Sequence, residues 1–480
     1  MKNIKYILMG ALTMMFLSCD LETDLDVINP EDPTSASLGT EDTANGLFRN
    51  WYVAVNAYQS PALAMATMSD NITCSWGNQG MRTMSSEPRV AWDNSSTYGY
   101  ASVTQNYFNS MYSILSDATG IVSIIEGGQT GFSDDDKIES LARFAQGAAI
   151  GSLAQVFDKV YVFDETGSIN DGEGVPFKDA MDIAIQKMDL AIAAADRGSF
   201  TLSEQINGAV LTNVQWSQFL NSYAARLLAT SARNSTQKAA LDWGKILTYA
   251  NNGLNYDFTV LADGGFTWYS EWNYYTGISG WTATDLYTVN LMDPTYPDYW
   301  PTEATTLPPA VSDDARLLSD FNYEPAPWMP SSRGTYHWSS YSYKRYDSFQ
   351  DSGWETAQTE YLQAENELYK AEALMRTGDM AGAAAAINGS SRVLRGQLPN
   401  VAAVAADISA AIHYERFVEV TNTGMGLSFY EMRGLDLLQA GTPLHFPIPG
   451  ASLDANKEAV YTFGGSIGLA GQDYSIGGWR

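Results

Sequence analysis

Residues Tyr361 to Leu394 read YLQAENELYKAEALMRTGDMAGAAAAINGSSRVL, and the fold is decided here. Tyr361, Leu362, Ala364, Leu368, Ala371 and Met375 recur at helical spacing and line one face of a helix. Thr377-Gly378-Asp379 breaks it: Gly378 suits the left-handed position that ends a helix, and Asp379 suits the cap of the next. The second helix carries Met380, Ala383, Ala384, Ile387 and Leu394 inward. Two short helices joined by a tight turn predict an antiparallel hairpin.

Within that hairpin, Ala371, Leu374, Ala383, Ile387 and Ser390 alternate small and large as a tetratricopeptide unit does. Small residues let the helices approach, and large ones fill the gap. The Trp and Pro of that pattern are absent. Further on come His413-Tyr414-Glu415-Arg416-Phe417-Val418-Glu419-Val420, Phe429-Tyr430-Glu431-Met432-Arg433, Pro447-Ile448-Pro449-Gly450 and Tyr461-Thr462-Phe463-Gly464-Gly465. An AEAL…GD helix pair, an ER…E helix, a FYEMR element and a PIPG turn, in this order, resemble the SusD/RagB family of outer-membrane nutrient-binding lipoproteins. Many members carry an Arg shortly after the Gly that follows the ER…E helix, where this chain has Gly426. The resemblance implies a glycan ligand, delivery to a SusC-like TonB-dependent transporter, and a ligand face built from a large insert and the segment after the first helix.

The 480 residues are 45% hydrophobic and 12% aromatic, enough for a large core and incompatible with global disorder. A net charge of −28 repels nucleic acid, so no nucleic-acid partner is expected, and it disfavours sulfated or uronate-rich ligands. Two cysteines, Cys19 and Cys74, and three histidines, His337, His413 and His445, give neither a disulfide framework nor a zinc spacing. No metal and no cofactor are expected.

Residues 1–18 read as an export signal: Lys2 and Lys5, then an apolar run from Ile7 to Leu17 that is too short to span a bilayer. Phe16-Leu17-Ser18-Cys19 looks like a lipobox, with Phe16 where Leu is more usual, so Cys19 is the expected lipidation site. Asp20, Glu22, Asp24 and Asp26 resemble the surface-export signal of Bacteroidetes lipoproteins. Residues 19–40 then form a tether, and 41–480 a single SusD-like domain. The expected location is the outer membrane, lipid-anchored and facing out.

Helices are predicted over 41–58, 102–126, 136–163, 212–231 and 236–251, with another around Ala184, Met188 and Ala191. Thr212 is a plausible cap. The expected fold class is mainly α: a tetratricopeptide-like scaffold of helical hairpins with a large, irregular, aromatic-rich insert. That insert is residues 253–356, which hold 7 of the 13 Trp, 12 of the 28 Tyr and 8 of the 17 Pro. So long an irregular stretch inside a compact fold reads as functional.

Catalytic constellations are missing. Gly464-Gly465-Ser466-Ile467-Gly468 mimics a nucleophile elbow, but the last histidine, His445, lies upstream of it. Asp171-Gly172-Glu173 lacks the ligand count of a calcium loop, and Glu415, Arg416 and Glu419 read as a packing clamp on one helix face. Aromatic planes in non-periodic sequence, with polar neighbours, suit the apolar face of a sugar ring. The candidate ligand-binding residues are Trp76, Arg82, Trp92 and Asn94 from the first stretch, and Trp268, Trp272, Tyr275 and Trp281 from the insert. The expected function is non-catalytic glycan capture. A peptide-capturing relative, a secreted glycan-active enzyme and a pure protein–protein scaffold are the alternatives.

Overall fold

A computed structural model describes residues 41–73, 77–128, 132–278, 281–301, 306–325, 339–465 and 473–480. The export signal, Cys19, the tether, Cys74, Trp76 and the Ser466–Gly468 part of the elbow lie outside the described residues. The chain is mainly helical, with only short two-stranded ladders among the described residues.

Helices α1 (Glu41–Asn56), α2 (Ala62–Met68), α3 (Ser102–Glu126), α4 (Asp135–Val156), α5 (Phe177–Arg197), α6 (Asn213–Ala229) and α7 (Trp243–Asn252) precede or open the insert. Helix α8 (Glu271–Gly277) lies within it. Helices α9 (Gln363–Arg376), α10 (Met380–Asn388), α11 (Ala405–Val418) and α12 (Leu427–Gly434) follow. Their starts are set by side chains that accept orphan backbone N–H groups. Asp134 accepts from Lys137 N, Asp242 from Lys245 N, and Asp379 from Gly382 N. Thr212 and Gln215 form a reciprocal capping box at α6. Gly378 takes a φ of +99°, the left-handed turn expected of it.

The helices stack in series: α3 on α4, α4 on α5, α5 on α6, α6 on α7, α7 on α9 and α9 on α10, with α1 over α3 and α4. Small residues set the spacing. A Cβ on Gly147 would stand 2.8 Å from Met188 Sδ, and one on Gly151 would stand 2.8 Å from Leu227 Cδ1. Where α1, α4 and α6 meet, Phe48, Trp51, Phe144, Trp216, Phe219 and Tyr223 pack as a continuous group of rings.

Two predicted helices run shorter than their apolar patterns. The 136–163 pattern stops at Val156, and Phe157 is extended. Its last carbonyls turn to distant arginines: Arg233 donates to Ala154 and Phe157, and Arg433 donates to Gln155. Arg433 also donates to the carbonyls of Thr230, Ala232 and Leu444. The negative ends of α4 and α6 thus face two buried cations. The 380–394 pattern breaks at Gly389, because Ser390 caps a separate turn, Ser391–Leu394.

Helices α7 and α9 are neighbours although the whole insert lies between them. Asn366 on α9 donates to the carbonyls of Ala250 and Leu254 and accepts from Ser222, locking the exit of α7. Just beyond, Phe258–Leu261 pairs antiparallel with Ala357–Tyr361. The insert therefore leaves and rejoins the stack through one two-stranded ladder.

The sequence motifs turn out to hold this arrangement. Arg416 pairs with Glu372 and Glu431, and Lys238 pairs with the same two carboxylates. Arg376, nearer the surface, also reaches Glu372. Burial opposes charge on Glu431, but Arg416 and Lys238 outweigh it and hold its carboxyl well below the usual range. The clamp expected among Glu415, Arg416 and Glu419 is corrected here. One residue further round a helix points about 100° away, so Arg416 faces the stack while Glu415 and Glu419 face Arg316 of the insert. Arg316 also meets Asp314, Arg345 and Arg395 reach Glu419, Arg395 reaches Asp320, and Arg392 reaches Glu415. Gly426 has a φ of +74°, and a Cβ there would stand 2.8 Å from Met65 Cε. A side chain there would be strained by the backbone and would have to displace Met65 and Tyr430.

Candidate functional site

The segment after α1 and the first half of the insert meet directly. Ile72–Thr73 pairs antiparallel with Ala283–Thr284, and Asp285 N donates to Asn71 O. Asn78 Nδ2 donates to the Tyr275 hydroxyl at 2.8 Å. Helix α8 starts where Ser270 accepts from Asn273 N, which aims Glu271 and Tyr275 back toward the end of α1. The Tyr275 ring lies 4.7 Å from that of Trp281 and 5.3 Å from that of Tyr58. Trp281 is 42% exposed and Tyr58 half-buried, while Tyr275 between them is 2% exposed, so the row meets solvent only at its two ends.

At the Tyr58 end lies a cleft of about 550 Å³ between α1, α3 and the start of α8. Tyr58, Gln59, Asn106, Asn109, Ser110 and Glu271 line it. Glu271 is fixed in place: Oε2 accepts from Tyr58 N at 2.5 Å and Oε1 from the Tyr269 hydroxyl at 2.8 Å. Burial, and then the bond to Glu271, push the Tyr269 hydroxyl above its ordinary value, so it stays a donor. Across the cleft, Asn106 donates to Gln59 Oε1 at 2.6 Å and Gln105 to Asn109 Oδ1 at 2.8 Å. A second cleft, of about 440 Å³, is lined by Phe177, Met181, Leu228 and Leu241 and takes nothing from the insert.

Tyr274 turns the other way and meets Trp354 with ring centroids 4.6 Å apart. Nearby, Asp263 accepts the backbone N–H groups of Phe266, Thr267 and Trp268. The loop so formed leaves Phe266 88% exposed.

The structure sorts the residues singled out in the sequence. Trp281 and the exposed Arg82 stand at the junction of the two stretches, Tyr275 lies there too but is 2% exposed and packs in one cluster with Trp272, and Trp76 lies outside the described residues. Trp92 is 1% exposed and sits edge-on to Phe446 and Tyr98, so a stacking role is replaced by packing. Asn94 is buried as well, donating to the carbonyls of Ile448 and Tyr461 and accepting from Gly450 N. It holds the PIPG turn, where a Cβ on Gly450 would stand 1.9 Å from Asn94 O. Trp272 is buried with Leu63, Ile72 and Met81. Trp268 leans its ring on Tyr52 and Phe48. Gly- and Asn-rich sequence around an aromatic does not reveal which side of the ring the chain covers.

Gln59, Asn106, Asn109, Ser110 and Glu271 were not legible as a group. The one sequence signal is the polar spacing of Asn106, Asn109 and Ser110 on α3, which any solvated helix face also shows. No three His, Cys, Asp or Glu side chains among the described residues are grouped to hold a metal ion. No described helix is long and apolar enough to cross a membrane.

No protein-family model matches the sequence, and no curated protein matches it. Solved structures do. A SusD superfamily protein from Bacteroides thetaiotaomicron is 14% identical with a TM-score of 0.58, covering 88% of this chain and 98% of that one. One from Bacteroides vulgatus is 13% identical with a TM-score of 0.57, covering 88% and 97%. A SusD-like carbohydrate binding protein from Bacteroides fragilis is 13% identical with a TM-score of 0.55, covering 82% and 86%. With its stacked hairpins and the insert spliced between α7 and α9, the chain has the fold of the SusD superfamily.

Proposed function

We propose that this protein is a cell-surface lipoprotein that binds an oligo- or polysaccharide without cleaving it and passes it to a SusC-like TonB-dependent transporter of the outer membrane. The observation that carries the reading is the pair of solvent-reaching rings Trp281 and Tyr58, held on either side of the buried Tyr275, which Asn78 ties to the first stretch. Rings present apolar faces to sugars while amides take up the hydroxyls. The carbohydrate-binding names of fold neighbours from Bacteroides vulgatus and Bacteroides fragilis support it, as does the lipobox-like Phe16–Cys19. The proposed ligand set is Tyr58, Asn78, Arg82 and Trp281, joined by Trp76 on its place in the sequence, with the buried Tyr275 positioning the two rings beside it.

The test is calorimetric titration against a polysaccharide and peptide panel, with product analysis after long incubation. Glycan binding with no chain shortening is the expected result. A preference for peptides, or hydrolysis abolished by one carboxylate substitution, overturns the reading. Co-purification of a transporter from native membranes in mild detergent tests the partner.

A further inference from the structure

We infer that the cleft beside Tyr58 is a subsite for an uncharged or amine-bearing sugar, and that it turns away uronate and sulfated units. The inference rests on the glycan-binding reading and names the substrate class of the same face.

Three observations carry it. Tyr58 belongs both to the ring row and to the cleft wall, so the cleft opens directly beside the solvent-reaching end of that row. The volume of about 550 Å³ falls within the range of small-ligand pockets, roughly 300–1,000 Å³. The lining chemistry is that of hydroxyl recognition, and Glu271 is its one charged side chain. The Asn106–Gln59 and Gln105–Asn109 bonds use one group of each amide and hold the plane of the other. An amide so fixed offers a donor or an acceptor to a sugar hydroxyl at little cost in side-chain entropy. Ser110 adds a hydroxyl that serves as either.

Glu271 sets the sign. Its two oxygens are already held by Tyr58 N and the Tyr269 hydroxyl, so it cannot swing away from an approaching anion. Like charges forced together on a partly dry surface repel, and no cation lines the cleft to offset that. An ammonium group would be attracted instead. The net charge of −28 also repels polyanions, but salt screens that long-range term within a Debye length of about 8 Å. Glu271→Gln changes the total by a single charge, so it isolates the local effect.

The experiment is titration of the purified protein at physiological salt with three probes: neutral oligosaccharides of glucose, xylose, mannose and galactose, a chitosan oligomer, and oligogalacturonate. Binding of a neutral or amine-bearing probe, with none to oligogalacturonate, is expected. Asn109→Ala and Ser110→Ala, both on the solvent side of α3, should each weaken that binding about three- to tenfold, the worth of a hydrogen bond. Glu271→Gln should raise oligogalacturonate affinity relative to the neutral probe by about tenfold. If Trp281→Ala abolishes binding while both α3 variants bind as the parent does, the cleft is no subsite and the glycan-binding reading stands. Oligogalacturonate as the tightest ligand of the parent protein overturns the inference directly. Binding of no probe at all sinks the glycan-binding reading together with the inference.

Discussion

Arg316 and Glu415 face each other as a two-pronged ion pair, Nη1 to Oε2 at 2.6 Å and Nη2 to Oε1 at 2.9 Å, with almost nothing of either side chain exposed. One belongs to the insert and the other to α11, so the pair fastens the proposed ligand face to the helical stack.

Removing one partner of a buried pair costs most where nothing else compensates the other, and here Arg316 would keep Asp314 and Glu419. Glu415→Ala should therefore lower stability by about 1–3 kcal/mol, the range for a lost charged hydrogen bond, and Arg316→Met, which takes the nearest cation from Asp314, Glu415 and Glu419, by more. Urea midpoints of purified variants measure this. A midpoint unchanged in Glu415→Ala would refute the fastening role.

Trp281 and Trp92 should part company. Trp281→Ala should leave folding intact and cost glycan affinity on the order of 1–2 kcal/mol. Trp92→Ala empties a buried site between Phe446 and Tyr98 and should cost about 3–5 kcal/mol of stability instead. Paired calorimetry and thermal denaturation check both. Loss of affinity in a well-folded Trp92→Ala variant would return that ring to the ligand face.

Glu360 titrates abnormally. Burial pushes its carboxyl up to about 7, against the opposing pull of Arg226 and the bond from Asn56. A carboxyl raised in the folded state binds a proton more tightly there than in the unfolded chain. Its contribution is thus neutral below about pH 4.5 and becomes a penalty as pH rises through 7. Glu360→Gln should gain on the parent across that window, reaching roughly 3 kcal/mol at pH 8. A variant-minus-parent difference that stays flat with pH would show Glu360 to be ionised without strain.

Arg433 supplies donors to the carbonyls of Gln155, Thr230, Ala232 and Leu444. Leaving a buried acceptor unpaired costs about 1–3 kcal/mol, so Arg433→Met should prevent stable folding or shift the midpoint severely. Arg433→Lys has a single ammonium point in place of a fork and should recover only part. Full recovery with lysine would mean that charge alone matters there.

Cys19→Ser should move the protein from the membrane to the soluble fraction with its fold unchanged, since stable anchoring needs two or more acyl chains at about 0.8 kcal/mol per buried CH₂. Mass spectrometry of the native N-terminus reads the modification directly. An unlipidated Cys19 would remove the anchor from the proposal.

How much was legible in advance depended on whether the signal was local. Gly378, Asp379 and Thr212 act on their immediate neighbours, and each does what its type and position foretell. The insert showed itself as a change of composition. The end of α4 did not, because Phe157 is as apolar as the helix before it and what stops the helix arrives from Arg233 and Arg433. The partner of Arg416 was misread for a related reason: adjacent letters suggested a shared face that helical geometry divides. Among the ligand candidates, aromatic type selected a region and not residues. Trp272 and Trp281 stand nine positions apart in similar sequence, yet one is buried and the other 42% exposed.

The ladder between Phe258–Leu261 and Ala357–Tyr361 makes the proposed ligand face an exchangeable cassette. Both ends of the excursion are held together whatever lies between them. Closure entropy grows only with the logarithm of length, so doubling the excursion costs about 0.6 kcal/mol. Residues 262–356 can therefore lengthen, shorten or change composition without altering how α7 meets α9. A transplant of that segment into another stack of this architecture asks three things of its host: an antiparallel strand pair at the equivalent helix junction, a strand in place of Ile72–Thr73 to pair with Ala283–Thr284, and a buried carboxylate placed to receive Arg316.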